Sequence, residues 1–172
     1  ASPICNMKDG AASTLSVASY FFDDDGVLAG DTQIIKDGIL VTGLSDLASA
    51  TQLGTAPTGN GRRESTRRKA YARMTNTFFE KGTDKLEDMI ASIKHGYMLF
   101  ETNNGMEDPK NWGIQCVALI GKEIKDGKLT GNVVSPLIMT GYVPDLLNSV
   151  SMVSKDFELY GTGACGKGYK EW

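Results

Sequence analysis

The chain has 172 residues, of which 41% are hydrophobic and 23% charged, and its net charge at pH 7 is -3. This composition is ordinary for a globular protein, and a net negative charge gives no broad attraction for nucleic acid. The sequence contains neither an apolar run of about 18 residues nor a basic leader followed by an apolar stretch. We therefore expect a single domain over residues 1–172, located in the cytoplasm and not in a membrane.

Two hairpins are predicted from near-copies of one pattern, QIIKDGILVTG (residues 33–43) and KEIKDGKLTG (residues 122–131). Each contains an Asp-Gly pair, and both residues of such a pair tolerate the positive φ that a type I′ turn requires. A helix-like segment follows each hairpin, SDLASATQL from Ser45 and VPDLLNSV from Val143. The pattern predicts two hairpin-helix units and is consistent with a duplication, which it does not establish.

The segment GTAPTGNGRRES, residues 54–65, is too rich in Gly, Thr and Asn to form a helix or a strand. It opens a basic block, residues 62–73, that contains six basic residues and one acidic residue. One interpretation is a solvated surface loop. Another is a site in which the glycines let the backbone approach a ligand closely while Arg62 or Arg63 binds a carboxylate. A third is contact with nucleic-acid phosphates. The basic block has no aromatic residue before Tyr71, and stacking on aromatic residues usually accompanies such contacts.

The segment TDKLEDMIASIKHG, residues 83–96, carries four apolar residues at helical spacing, namely Leu86, Met89, Ile90 and Ile93. We predict a helix that Thr83 or Asp84 caps and that ends at Gly96. His95, the only histidine, would lie in the last turn, where a cation favourably meets the negative helix end. No partner residues at metal-ligand spacing accompany it, so we expect a structural role.

Two strands are predicted from alternation of apolar residues. YARMTNTFF, residues 71–79, reads as a strand with one solvent-facing side. WGIQCVALI, residues 112–120, places Trp112, Ile114 and Cys116 on one face and reads as a central buried strand, with Cys116 as a core residue. Together these elements predict an α+β fold, with a strand-rich antiparallel sheet and a few short helices.

The segment GTGACGKG, residues 161–168, matches seven of the eight positions of a phosphate-binding P-loop. The final Ser or Thr that would hold Mg²⁺ is replaced by Gly168, and only four residues follow, which leaves no room for the helix that such a loop needs. We therefore do not interpret this segment as a nucleotide site, and Cys165 within it needs another explanation.

Four segments, PTGNGRRES, RMTNTFF, SVSMVSKDFEL and GTGACGKG, make the sequence resemble the C-terminal domain of the TldD/PmbA family over nearly its whole length, and TGNGRRES resembles the TldD branch. The resemblance implies a zinc metallopeptidase that acts on peptides or unfolded chains. It also implies a homodimer, or a heterodimer with a TldE/PmbA-like subunit. In this family two histidines of an HExxxH helix in the preceding domain and a C-terminal cysteine hold the zinc, and Cys165 is the matching position.

The sequence departs from the family pattern because it contains no HExxxH. We therefore expect the chain to be a C-terminal domain that lacks the HExxxH domain and the last strands, and that is inactive alone. It would supply Cys165 as a zinc ligand and part of the substrate groove, with Asn60, Arg62 and Arg63 as substrate- or partner-binding residues. The alternative is a non-catalytic module that binds DNA gyrase or nucleic acid through the basic block.

Overall fold

In the computed structural model the described residues are 1–161 and 166, and they form two compact units. The first unit comprises Ala1–Asn6, Ile35–Leu40 and Glu80–Phe157. The second comprises Met7–Ile34, Val41–Phe79 and the described residues from Glu158 onward. The prediction of one domain over residues 1–172 concerns the folding of the whole chain and stays a prediction.

Short helices and many antiparallel strands give an α+β fold, which confirms the predicted class. In chain order the elements are β1 (Met7–Asp9), β2 (Thr32–Lys36), β3 (Ile39–Leu40), α1 (Leu47–Leu53), β4 (Gly61–Arg62), β5 (Tyr71–Ala72), β6 (Thr77–Phe79), α2 (Leu86–Ala91), β7 (His95–Asp108), β8 (Gly113–Lys125), β9 (Lys128–Val134), β10 (Leu137–Tyr142) and α3 (Val143–Ser149).

A sheet built around β8 forms most of the first unit. One edge of β8 pairs with β7 along nearly its whole length, and the other edge pairs first with β10 and then with β9. The prediction of a central strand is confirmed, but the predicted segment is only partly buried, because Ala118 is 2% exposed whereas Leu119 is 37% exposed. Trp112 lies before β8 with a φ of 60° and is 52% exposed.

Both predicted hairpins are present. Asp37 and Gly38 join β2 to β3, Asp126 and Gly127 join β8 to β9, and all four residues have positive φ, as a type I′ turn requires. The helices predicted after the hairpins are α1 and α3, although β10 separates β9 from α3. Asp46 caps α1 by accepting a hydrogen bond from the Ser49 amide at 2.6 Å.

The helix predicted over residues 83–96 is longer than the one observed. Helix α2 covers only Leu86–Ala91, its N-cap is Lys85, and neither Thr83 nor Asp84 caps it. His95 begins β7, because cross-strand pairing with Lys125 outweighs the helical spacing of four apolar residues. None of the helices in the described part of the chain has the length and apolar character that crossing a membrane requires.

The single strand predicted over residues 71–79 is two strands, β5 and β6, separated by residues 73–76. In the second unit β5 pairs with β4, and β6 pairs with β1, which lies between β2 and β6. Between β5 and β6 the Thr75 amide donates a hydrogen bond to the buried carboxylate of Asp9 and not to a neighbouring strand, so the segment is interrupted there. The buried polar residues of the described chain all belong to this second unit: Asp9, Asp23, Thr32, Ser45, Asp46, Asn60 and Asn76.

Candidate functional site

Glycine at position 59 is required by both the backbone and the packing of the segment that enters β4. Gly59 has a φ of 73°, and a Cβ placed there would collide with the carbonyl oxygen of Leu28. A side chain at this position would be strained whatever its chemistry, since L residues rarely adopt this conformation. The segment therefore passes close to the backbone of residues 28–30 before it presents Asn60 and the two arginines.

Asn60 is fully buried and links two parts of the second unit. Its Nδ2 donates to Oδ1 of Asp9 at 2.7 Å and to the carbonyl oxygen of Arg73 at 3.0 Å. Its Oδ1 is buried and has no hydrogen-bond partner among the described residues. The structure places this side chain in the interior, where it binds Asp9 and the backbone of Arg73, and its predicted role in binding substrate or a partner stays a prediction.

Asp9 is a fully buried carboxylate that accepts hydrogen bonds from residues more than fifty positions away in sequence. Besides Asn60, it accepts from the Thr75 amide at 2.8 Å, from the Thr75 hydroxyl at 2.7 Å and from the Thr77 hydroxyl. A buried charge is costly unless hydrogen bonds satisfy it, and this group of donors meets that need. The same contacts explain why residues 73–76 leave the predicted strand.

A second buried carboxylate, Asp23, holds the next residue of the segment. Its Oδ2 accepts from the Gly61 amide at 2.8 Å, and its Oδ1 accepts from the amides of Asp25 at 3.0 Å and Val27 at 2.9 Å. The amide of Asp24 donates to the Gly61 carbonyl at 2.8 Å. Residues 21–29 thus form a small hairpin that is tied by its backbone to the start of β4.

Arg62 and Arg63 differ in the groups that they bind. The Arg63 amide donates to Oδ2 of Asp24 at 2.8 Å, and its Nη2 donates to the Asp24 carbonyl at 2.7 Å. The exposed Arg62 donates from Nη1 to the carbonyl oxygen of Met74 at 2.8 Å and forms no ion pair with a carboxylate among the described residues. A guanidinium has five N–H donors, and Arg62 uses one of them in this contact, whereas Nε of Arg63 also lies 4.0 Å from Oδ1 of Asp24.

Tyr20 lies near Arg62 and donates its hydroxyl to the Gly59 carbonyl at 2.7 Å. Burial raises the pKa of Tyr20 to about 12, the charge of Arg62 opposes this effect, and the carboxylates of Asp23 and Asp9 add to it. The phenol therefore stays protonated at neutral pH and remains a hydrogen-bond donor to the glycine segment.

The rest of the basic block is only partly available for binding anions. Arg67 and Arg68 are exposed, whereas the Lys69 ammonium lies 4.6 Å from the centre of the Tyr71 ring. The Arg73 amide donates to the Asn60 carbonyl at 2.9 Å, so the backbone of this residue belongs to the buried network. Contact of the block with nucleic acid stays a prediction.

Residues that could bind a metal do not converge in residues 1–161 and 166, where no group of three or more His, Cys, Asp and Glu side chains is placed to hold an ion. Cys5 is buried and Cys116 is half-buried on β8. The His95 side chain is 62% exposed, and its Nε2 lies 3.7 Å from Oε1 of Glu123. The described residues therefore do not form a zinc site, and Cys165 lies outside them.

Sequence reasoning missed the carboxylates that organise this region. The segment FFDDDG could have predicted the role of Asp23, because an Asp side chain in a turn commonly accepts a hydrogen bond from the backbone amide two residues later. Asp9 also precedes a glycine, in MKDG, but its partners lie more than fifty residues away in sequence. Contacts at that separation become visible only in the folded chain.

Residues 1–169 match the profile of the PmbA/TldA metallopeptidase C-terminal domain. The chain is 33% identical over 167 residues to the metalloprotease TldD homolog of Haemophilus influenzae, which covers 96% of this chain and 34% of that protein. It is 31% identical over 147 residues to the zinc metalloprotease TldD homolog of Saccharolobus solfataricus, which covers 86% of this chain and 32% of that protein.

The fold is similar to that of TldE from Thermococcus kodakarensis, with a TM-score of 0.75 and 28% identity. That similarity covers 91% of this chain and 35% of the TldE chain. The chain spans about a third of the length of the curated relatives that it matches.

Proposed function

Since the chain belongs to the PmbA/TldD metallopeptidase family, we propose that it is the C-terminal part of a zinc-dependent metallopeptidase that acts on peptides or unfolded chains. The observation that carries the proposal is the match of residues 1–169 to the metallopeptidase C-terminal domain, together with relatives that are named metalloproteases. A catalytic zinc site needs three protein ligands and an open fourth position, so most of such a site must come from outside this chain.

In this proposal Cys165 is the zinc ligand that the chain contributes. A thiolate is a strong ligand for zinc, and glycines at 163 and 166 would let the backbone bend so that the sulfur reaches the metal. The remaining ligands would be the histidines of an HExxxH helix in the preceding domain. The free cysteine alternatives within the described residues, Cys5 and Cys116, lie in the first unit, where no His, Asp or Glu cluster accompanies them.

The chain would also supply part of the substrate groove through the segment around β4. Arg62 would bind the carboxylate of a peptide, because its charge is not neutralised by an ion pair among the described residues. Arg63 would hold the neighbouring hairpin through Asp24, and Asn60 would keep the segment in place from the interior. For its partner we propose a second copy of the chain or a TldE/PmbA-like subunit, the latter supported by the similarity to TldE.

The proposal is tested by the zinc content of the full-length gene product, measured by elemental analysis for the wild type, Cys165→Ala and Cys116→Ala. We expect near-stoichiometric zinc in the wild type and in Cys116→Ala, and most of the bound zinc to be lost in Cys165→Ala, because one of the three protein ligands is removed. The rate of hydrolysis of unfolded casein should decrease in the same variant that loses zinc. Equal zinc in the wild type and Cys165→Ala would show that this cysteine is not a ligand.

A further inference from the structure

The sequence contains two Asn-Gly pairs, Asn60-Gly61 and Asn104-Gly105, and they lie in different environments. Asparagine is a chemically labile residue, and a glycine after it leaves the next backbone nitrogen open to close approach because glycine has no Cβ. That nitrogen can then attack the side-chain amide of the asparagine. Burial and the hydrogen bonds of the two groups decide which pair reacts.

The pair Asn60-Gly61 is protected on both sides of the reaction. Asn60 is fully buried, and its Nδ2 donates to Asp9 and to the carbonyl oxygen of Arg73. The Gly61 amide, which would be the attacking group, donates to Oδ2 of Asp23 at 2.8 Å. Attack at this pair requires all of these bonds to break, and buried networks of this kind open only when the surrounding structure unfolds.

The pair Asn104-Gly105 lies in an exposed part of β7. Residues 101–112 are all exposed, and the Asn104 side chain has no hydrogen bond among the described residues. The pairing of β7 with β8 shifts in register between Thr102 and Asn104, and Glu101 has a φ of 55°. In the described part of the chain β7 is an edge strand, because β8 is its only partner in the sheet. An irregular, exposed edge opens locally at a low free-energy cost.

We propose that Asn104 is a site of spontaneous deamidation. The Gly105 nitrogen bonds to Cγ of Asn104, the bond from Cγ to Nδ2 breaks, and ammonia leaves with the proton of the Gly105 amide, which forms a cyclic imide. Water then opens one of the two C–N bonds of the imide and gives an aspartate or an isoaspartate at position 104. The modification consumes only water and needs neither zinc nor a peptide, so it does not depend on the proposed function.

The products would change β7 in charge and in length. Both replace a neutral amide with a carboxylate, in a segment, residues 101–108, that already contains three acidic residues. Isoaspartate also adds one carbon to the backbone at Asn104, which lies opposite Val117 of β8. The hydrogen bonds of an antiparallel pair depend on matched spacing along both strands, so isoaspartate should weaken the pairing of β7 with β8 beyond this position.

The test incubates the full-length gene product at mildly alkaline pH and follows the conversion of each asparagine by mass spectrometry of its proteolytic peptides. We expect Asn104 to convert at least about tenfold faster than Asn60, because local opening is more frequent than global unfolding. We also expect it to convert at least about tenfold faster than Asn103, which is equally exposed but precedes a residue that has a Cβ. Fragmentation by electron transfer should identify isoaspartate at position 104, since direct hydrolysis of the amide gives aspartate alone.

The substitution Gly105→Ala tests the role of the attacking nitrogen. A Cβ at Gly105 would lie 3.7 Å from the carbonyl oxygen of Gln115, which is an ordinary contact, and Gly105 does not have a positive φ, so the fold should be kept. We expect deamidation of Asn104 to slow about tenfold in this variant, because the Cβ hinders the attack. The matched control is Gly113→Ala in the same hairpin, where a Cβ would also make an ordinary contact, at 3.5 Å from Asp108, and it should leave the rate unchanged.

Three results would overturn the inference. Conversion of Asn104 no faster than that of Asn103 would show that the glycine does not make this position reactive. An unchanged rate in Gly105→Ala, or aspartate as the sole product, would exclude the cyclic imide. Conversion of Asn60 at the rate of Asn104 in the folded protein would show that burial and hydrogen bonding do not select the site.

Discussion

At the scale of single residues, the second unit is organised by buried carboxylates that bind backbone amides and hydroxyls. Asp9 and Asp23 join segments that are far apart in sequence, and Asp46 combines the cap of α1 with a bond to the Ala72 amide at 2.8 Å. Such bonds are stronger than neutral ones because the acceptor is charged. They place the backbone around Arg62 without using the side chain of Arg62 itself.

The substitution Asp9→Asn should lower the free energy of unfolding by about 3 kcal/mol, because the new amide nitrogen would face hydroxyl and amide donors in the interior. The matched control is Asp31→Asn, at an exposed carboxylate paired with Lys8, which should cost less than about 1 kcal/mol. Urea unfolding of both variants measures the difference. Similar losses for the two would contradict a special role for the buried carboxylate.

The raised pKa of Tyr20, about 12, predicts a pH dependence in the alkaline range. An ordinary tyrosine ionises near pH 10, so between pH 10 and 12 the unfolded chain loses this proton while the folded chain keeps it. The stability due to Tyr20 is therefore fully present below pH 10 and is lost as the pH rises towards 12. Phenolate absorbance of the wild type minus that of Tyr20→Phe should show the late titration, and a difference centred near pH 10 would contradict it.

At the scale of elements, the turns were predictable and the lengths of the helices and strands were not. Asp-Gly pairs specify tight turns locally, because both residues tolerate positive φ, and both predicted turns are present. Residues 83–96 show the opposite case, since the helix predicted there was expected to end at Gly96, whereas α2 ends at Ala91 and β7 begins at His95. Strand pairing depends on distant residues, which a local pattern does not contain.

Two glycines of the β8–β9 hairpin allow a direct test of local packing. Gly127 and Gly131 both have positive φ, but a Cβ at Gly127 would lie 2.8 Å from the carbonyl oxygen of Ala91, whereas nothing lies within 4 Å at Gly131. We expect Gly131→Ala to cost about 1 kcal/mol from backbone strain. Gly127→Ala should cost about 3 kcal/mol, because overpacking adds to the strain.

Thermal unfolding of the two glycine variants, followed by circular dichroism, gives the comparison. Both glycines have positive φ, so the large difference between them is the Ala91 carbonyl oxygen, which lies close to Gly127 and not to Gly131. Equal losses of stability would mean that the end of α2 shifts to accommodate the added methyl group.

At the scale of the whole molecule, we predict that this chain has no peptidase activity when it is alone. The sequence has one histidine, and the described residues bring together no set of three metal ligands. The prediction that the chain is inactive alone follows from this, because zinc hydrolysis needs three protein ligands and a base near the bound water.

The purified 172-residue chain, incubated with zinc, should hydrolyse unfolded casein no faster than buffer with zinc, whereas the full-length gene product should hydrolyse it. Release of soluble fragments measures both rates. A chain in which His95 is replaced by Ala is the matched control, and it should behave as the parent does. Zinc-dependent hydrolysis by the chain alone, lost in His95→Ala, would contradict the proposal.

The sequence by itself determined the fold class, the two type I′ turns, the central strand β8 and the family, because these depend on local patterns or on the order of whole motifs. It also selected Asn60, Arg62 and Arg63 as candidates. Only the tertiary structure decided that Asn60 is buried against Asp9, that Arg63 is held by Asp24 and that Arg62 keeps its charge. The partners in these contacts are up to fifty-one residues apart along the chain, and such pairs meet only when the backbone between them has folded.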